Sequence, residues 1–361
     1  MDFDVVIIGG GPAGTACGIA LQTLGVKNCI VDKAVFPRPK LCGGLVTEKT
    51  YAVLQGLCPE AVFAPAVRSE IHRVSLYSGS TPLVKADCGT TLRIVERKDF
   101  DYALLQHYKA LGGTVFEGEA LTAIEGHTLI TEHHRFTCRH AVAADGALSK
   151  LRQLCGLRLN GLAFCLEAAV DAPADALQIR FGAVEDGYGW VFPCGAQSKI
   201  GFGTTYDKVT DYKALFAQYC RDLGRDCTEY AGAFVPYGKA MKSLTHKDFI
   251  LFVGDAAGLV DPLCGEGLYY ALLSGKTAAE CLAAENPCTE YAQKMAPHRK
   301  NIANGVRLRK FFFRPAVQKF FCRKMQGNRR FLRQFVDAQV SWGRYEYGRL
   351  WQFLQAYRSG Q

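Results

Sequence analysis

Glycines 9, 11 and 14 follow a short apolar run, VVII, in the spacing G-x-G-x-x-G, and Asp32 stands about twenty residues further on. Glycine at such a point permits a sharp turn and close approach of a ligand to the backbone, and the start of the next helix offers amide N–H groups and a positive dipole end to a diphosphate. Asp32 would accept from ribose hydroxyls, with Pro12, Ala13 and Lys33 as flanking members of the same site. A glycine turn that holds no ligand is the alternative, and the motif alone does not separate NAD from FAD. Two further groups could do chemistry. Cys42 in KLCGGLV lies between Lys40 and the pair Gly43 and Gly44, and Tyr188, Trp190 and Phe192 alternate in YGWVFP, so in a strand they share one face.

The elements that must position these residues are legible in outline. DVVIIGGGPAGTACGIALQTLG followed by NCIVDK is a strand, glycine turn, helix and second strand, the βαβ unit of a Rossmann-type domain. ALQIRFG, YGWVFP and KIGFGTT predict an antiparallel meander, the makings of a second lobe. DFILFVGDAAGLVDPLCGEGLYYALLSGKTAAECL then returns as strand, turn and long helix. The expected division is a discontinuous α/β nucleotide domain over 1–66, 96–156 and 246–290, an antiparallel-sheet substrate lobe over 67–95 and 157–245, and a helical basic segment over 291–361.

At 361 residues the chain is long for one core, and 49% hydrophobic with 21% charged residues is an ordinary globular balance. Fifteen scattered cysteines with no C-x-x-C pair and no metal-type Cys/His spacing imply reduced thiols, a cytoplasmic protein and no metal site. No window reaches the roughly 18 apolar residues of a spanning helix.

Later motifs carry a family resemblance. AVAADGALSKLR and FVGDAAGLVDPLCGEGL resemble the A-D-G-x-x-S-x-x-R and Gly-Asp segments of the flavoprotein group that includes the aromatic hydroxylases and the geranylgeranyl reductases. The resemblance implies FAD, with Asp145, Gly254 and Asp255 at the cofactor, Asp255 on the ribityl chain, and the amides of the 262–267 turn, with Pro262, Gly265 and Gly267, near the flavin ring. Arg97 in VERKDFDYALL resembles the group's R-x-x-F/L-D arginine, which helps hold the cofactor; a solvated arginine at a helix start is the alternative. KLCGGLV and YGWVFP resemble the K-x-C-G-G and Y-x-W-x-F-P patterns of the geranylgeranyl reductase family, although Glu185 replaces the first proline of the longer motif.

The expected function is reduction of carbon–carbon double bonds in a polyprenyl or related lipid, with Cys42 and Tyr188 as catalytic candidates. Gly43, Gly44, Trp190 and Phe192 would then line the pocket beside the flavin; the aromatics could equally fill a core. One dinucleotide fingerprint implies that electrons arrive from a transiently docked NAD(P)H or an electron-carrier protein. The alternative is a flavin monooxygenase or halogenase acting on an aromatic small molecule, and a sensing or interaction role is a third reading.

Residues 307–333 carry ten Lys and Arg and no acid, so the rest of the chain sums to about −1 of the total +9. With phenylalanines interleaved, the segment suits peripheral contact with an anionic membrane, and equally a pair of helices with aromatics inside and cations outside. No nucleic-acid-binding signature accompanies the charge, and no nucleic acid partner is expected.

Overall fold

The computed structural model describes residues 1–208 and 211–337; residues 338–361 of the expected C-terminal segment lie outside them. The first sheet runs in the order Thr245–His246, Ile250–Phe252, Arg135–Ala143, Asp2–Ile8, Asn28–Asp32, Thr114–Glu117. Its four central pairings are parallel, and a hairpin of Leu121–Glu125 and Thr128–Thr131 extends it beside Arg135–Ala143. Val5, Val6, Ile7 and Ile8 are all buried, as a parallel strand covered on both faces requires. The chain leaves Asp2–Ile8 to one side and returns on the other, so the strand order reverses between Ile8 and Ala143. In an open α/β sheet that reversal opens a crevice for a ligand.

The second sheet runs Ala231–Lys239, Asn160–Val170, Gln197–Thr205, Tyr188–Cys194, Leu177–Phe181, Val67–Ser78, Thr81–Val95, Leu45–Val46. The expected meander is present, with Tyr188 opposite Gly203 and Phe181 opposite Tyr188. Two details differ from the sequence reading. Leu177–Phe181 pairs in parallel with Val67–Ser78, and Leu45–Val46, inside the 1–66 range, joins the second sheet rather than the first.

Among the described residues, the basic segment forms three helices, Pro287–Phe312, Pro315–Met325 and Arg329–Asp337. Tyr291, Met295 and Ile302 enter the core of the first sheet, whereas Cys322, Met325, Phe331, Leu332 and Val336 complete the core of the second. Phe321 sits among Phe181, Phe312, Phe331 and Phe335 at centroid distances of 4.9–6.0 Å. These aromatics are therefore largely internal, while Phe311 and Phe320 remain exposed. No helix among the described residues is long and apolar enough to cross a membrane. Leu332 is 1% exposed, so Leu332→Ala should cost about 2–4 kcal/mol in urea unfolding; a loss under about 1 kcal/mol would show that the Arg329–Asp337 helix is not part of the core.

Candidate functional site

The crevice opens between the Asp2–Ile8 and Arg135–Ala143 strands. Gly9 has φ +110°, and a Cβ there would lie 2.4 Å from the Ala144 carbonyl oxygen; one on Gly14 would lie 1.8 Å from the Gly9 oxygen. Only hydrogen fits at either point, so the helix Pro12–Thr23 starts hard against the strand. That helix has Gly11 as its N-cap, no side-chain cap and no acid in its first turn, which leaves its N-terminus fit for a diphosphate. Asp32 is held rigidly: its two oxygens accept the Gly10 and Ala34 N–H groups at 2.7 and 2.8 Å. Lys33 is exposed. Asp145 uses one oxygen to accept the Leu151 N–H at 3.0 Å and keeps the other buried without a partner, and burial raises its pKa.

Two arginines meet one carboxylate beside this cradle. Arg97 binds Asp101 through two N–H···O bonds of 2.7 and 2.9 Å, and Arg38 reaches Asp101 at 3.5 Å while covering the Phe36 ring at 4.6 Å. Burial works against the Arg97 charge, but the Asp101 carboxylate more than offsets it and raises its pKa. Arg97 is thus a buried, paired cation rather than a solvated one. Arg38 escaped the sequence reading. Its guanidinium would lie 3.5 Å from a Cβ on Gly11, well placed for a diphosphate. The signal was a basic residue, in FPRPK, only six positions past Asp32.

Asp255 sits in the turn Gly254–Ala257, which presses on the first turn of the Pro12–Thr23 helix: a Cβ on Gly254 would be 3.0 Å from that of Ala13. One Asp255 oxygen would be 3.2 Å from a Cβ on Gly267, at the start of the helix Leu268–Leu282. The 262–267 turn differs from the expectation that its amides face the flavin. The Leu263 and Cys264 N–H groups both donate to Asp261 Oδ1 at 2.9 Å, the Gly265 N–H donates to the Asp261 carbonyl, and Pro262 has none to give. What remains is the uncapped helix start at Gly267. The turn is braced through Glu266, which accepts from Thr47 and Thr50 at 2.6 and 3.1 Å and pairs with Lys49 at 2.6 Å.

The other wall comes from the second sheet. Cys165, Gly203 and Tyr188 form one cross-strand row, and Glu167, Gly201 and Trp190 the next. Glycine in the middle strand is a steric requirement: a Cβ on Gly201 would be 2.4 Å from the Trp190 ring, so the indole lies across it and donates Nε1–H to Glu167 at 2.9 Å. The Tyr188 hydroxyl donates to the Cys264 carbonyl at 2.5 Å, tying the sheet to the turn, and burial holds its pKa well above the usual value. Gly43 and Gly44 were expected to line the pocket beside the flavin. Their close neighbours are instead Phe192, 2.6 Å from a Cβ on Gly43, and the Val95 carbonyl, 2.1 Å from one on Gly44, which has φ +75°. Phe192, whose ring fills the space beside Gly43, is therefore the floor beneath the Cys42 loop. Cys42 Sγ accepts the Gly44 N–H at 3.4 Å.

A protein-family profile described as an FAD binding domain matches residues 2–183. The chain is 31% identical to the menaquinone reductase of Mycobacterium tuberculosis over 77% of this chain and 76% of that protein. It is 28% identical to the geranylgeranyl diphosphate reductase of Rhodobacter capsulatus over 79% and 76%. The crystal structure of a geranylgeranyl bacteriochlorophyll reductase-like protein from Thermoplasma acidophilum has the same fold, with a TM-score of 0.78, 19% identity and 90% of each chain covered. FAD is the cofactor, and the glycine cradle, the free helix start and Asp255 fit it. Asp255 bears on this directly, because burial raises its pKa against the opposing charges of Lys40 and Arg97. An acid whose folded pKa exceeds its unfolded value stabilises the fold when protonated, and that contribution is lost as pH rises from about 4 through the folded value. In FAD-stripped protein, Asp255→Asn should therefore raise the melting temperature at pH 8, with the gain shrinking toward pH 4, while weakening FAD binding; scanning fluorimetry showing a lower melting temperature at pH 8 would contradict this. By motif order, by matched domain and by relatives that span most of its length, the chain belongs to the geranylgeranyl reductase family of FAD-dependent oxidoreductases.

Proposed function

We propose that the protein reduces carbon–carbon double bonds in a polyprenyl, lipid-like substrate. The observation that carries this reading is the wall of Tyr188 and Trp190 beside Cys42, an aromatic surface tied through the Tyr188 hydroxyl to the 262–267 turn, whose Gly267 lies against Asp255. Bound FAD, once reduced, supplies a hydride; the protein must supply the proton and exclude water. The Cys165 thiol is pushed up to about 12 by burial, and the Tyr188 phenol also stays protonated. Because the Tyr188 proton is engaged by the Cys264 carbonyl, Cys42 is assigned as the proton donor and Tyr188 as a wall residue that orients the chain. With one dinucleotide fingerprint in the sequence, the electron donor is a transiently docked NAD(P)H or carrier protein.

An anionic lipid surface is the docking partner in this reading. Phe311 and Phe320 are exposed, with Arg314 at 5.8 Å and Lys324 at 5.6 Å from their rings, and Lys310, Lys319 and Arg323 are exposed around them. Arg309 is different: it covers Tyr237 at 3.9 Å and donates to its carbonyl.

Anaerobic mixing of dithionite-reduced protein with a polyprenyl lipid should restore the oxidised flavin spectrum and add hydrogens to the lipid in pairs, and Cys42→Ala should slow this at least about tenfold while retaining FAD. Indifference to every prenyl lipid, with oxygen-dependent turnover of an aromatic compound instead, would favour the monooxygenase or halogenase reading. Separately, changing Lys310, Arg314 and Lys319 to Glu should weaken co-sedimentation with phosphatidylglycerol vesicles by about a hundredfold or more; a wild-type protein that ignores such vesicles would remove the docking surface.

A further inference from the structure

On the face of the second sheet that carries the aromatic wall, a buried lysine and a half-buried glutamate lie on adjacent strands. Glu167 faces Gly201, and Lys199 stands two residues from Gly201 on the same strand, a diagonal pair across the sheet. Each holds a different end of the same peptide segment. The Lys199 ammonium donates to the Cys42 carbonyl at 3.3 Å and pairs at 3.1 Å with Glu96, the residue that precedes Arg97. The Glu167 carboxylate accepts the Trp190 indole N–H at 2.9 Å and lies against the Cys42 backbone N–H.

Withdrawing two charges from most of their water is costly, and a well-packed apolar pair would serve stability as well or better. Burial does push the Glu167 carboxyl up, and Lys199 is the first of the groups that offset it. The arrangement is hard to account for as packing. It is well suited to geometry, since Cys42, Trp190 and the start of the Arg97–Ala110 helix are all referred to one pair of charges.

We propose that Glu167 and Lys199 are positioning residues that clamp the Cys42 peptide and the Trp190 indole in fixed relation to each other. The proposal rests on the reading above that this wall faces the substrate, but its contacts can be probed without one. In FAD-loaded protein, the rate of Cys42 alkylation by iodoacetamide is read by peptide mass mapping against Cys288, which lies in the helix Pro287–Phe312 away from the wall. The Trp190 indole N–H resonance is assigned with Trp190→Phe.

Glu167→Ala and Lys199→Met should each speed Cys42 alkylation about tenfold relative to Cys288, the population change that loss of one charge-assisted hydrogen bond allows. Glu167→Ala should also move the indole resonance upfield, and Glu167→Gln, which keeps an acceptor, should leave it near the wild-type position. Unchanged alkylation in both variants, or an equal rise at Cys42 and Cys288, would overturn the clamp. Retained FAD confirms folding in each case. Failure of all prenyl lipids to reoxidise the wild-type flavin would sink the proposed function, whereas the clamp stands or falls on the alkylation rates and the indole shift alone.

Discussion

The approach of Gly44 to Val95 is the contact on which the site depends. The Val95 N–H donates to the Gly44 carbonyl at 2.9 Å, and a side chain on Gly44 would run into the Val95 oxygen. This closeness lets Leu45–Val46 pair with the long strand Thr81–Val95 and pins a segment of the nucleotide-binding half to the edge of the second sheet. From that pin the connections run in both directions along the chain. Before it, Cys42 is set beside Arg97; after it, Thr47, Lys49 and Thr50 converge on Glu266 and hold the turn that precedes the Leu268–Leu282 helix. A stretch of about ten residues thus relates both walls to each other, which explains why two consecutive glycines are needed where one would suffice for a simple turn.

Around this stretch the protein collects carboxylates drawn away from water: Asp101, which is buried, and the half-buried Asp255, Glu167 and Glu266. For the last three, burial raises the pKa first and cations then oppose it, namely Lys40 and Arg97 for Asp255, Lys199 for Glu167 and Lys49 for Glu266. Such pairs contribute little net stability compared with apolar packing, because desolvation consumes most of the Coulombic gain. They do contribute direction, since each admits few partner geometries. Among the described residues, Asp255 differs from the others in having neither a hydrogen bond nor an ion pair at its carboxylate, as suits a group whose natural partner is a ligand rather than a side chain.

Much of the fold was legible from periodicity and glycine placement. The G-x-G-x-x-G turn after a buried apolar run and the three-strand meander rest on local patterns, and both appear in the structure. The less legible parts depend on register between distant strands. Glu167 and Trp190 meet only because Gly201 stands between them, and nothing near Glu167 in sequence announces a partner 23 residues away. The alternating glycines of KIGFGTT were the available signal, since glycine inside a strand marks a close approach. Arg38 and Glu266 were missed for the same reason: their roles come from contacts across the crevice. The basic tail left two readings open, and the burial of Phe313 and Phe331 beside the exposure of Phe311 and Phe320 shows that both sets of positions exist in one segment.

The tail has a further consequence for how the molecule is made. The core of the second sheet is completed by Cys322, Met325, Leu332 and Val336, which leave the ribosome long after the strands they cover. At about 5–20 residues per second, the inner face of that sheet waits several seconds or more without its cover. During that interval the nascent chain presents a broad apolar sheet beside a glycine-rich crevice, so early capture of FAD or a chaperone would guard against misassembly until these helices arrive.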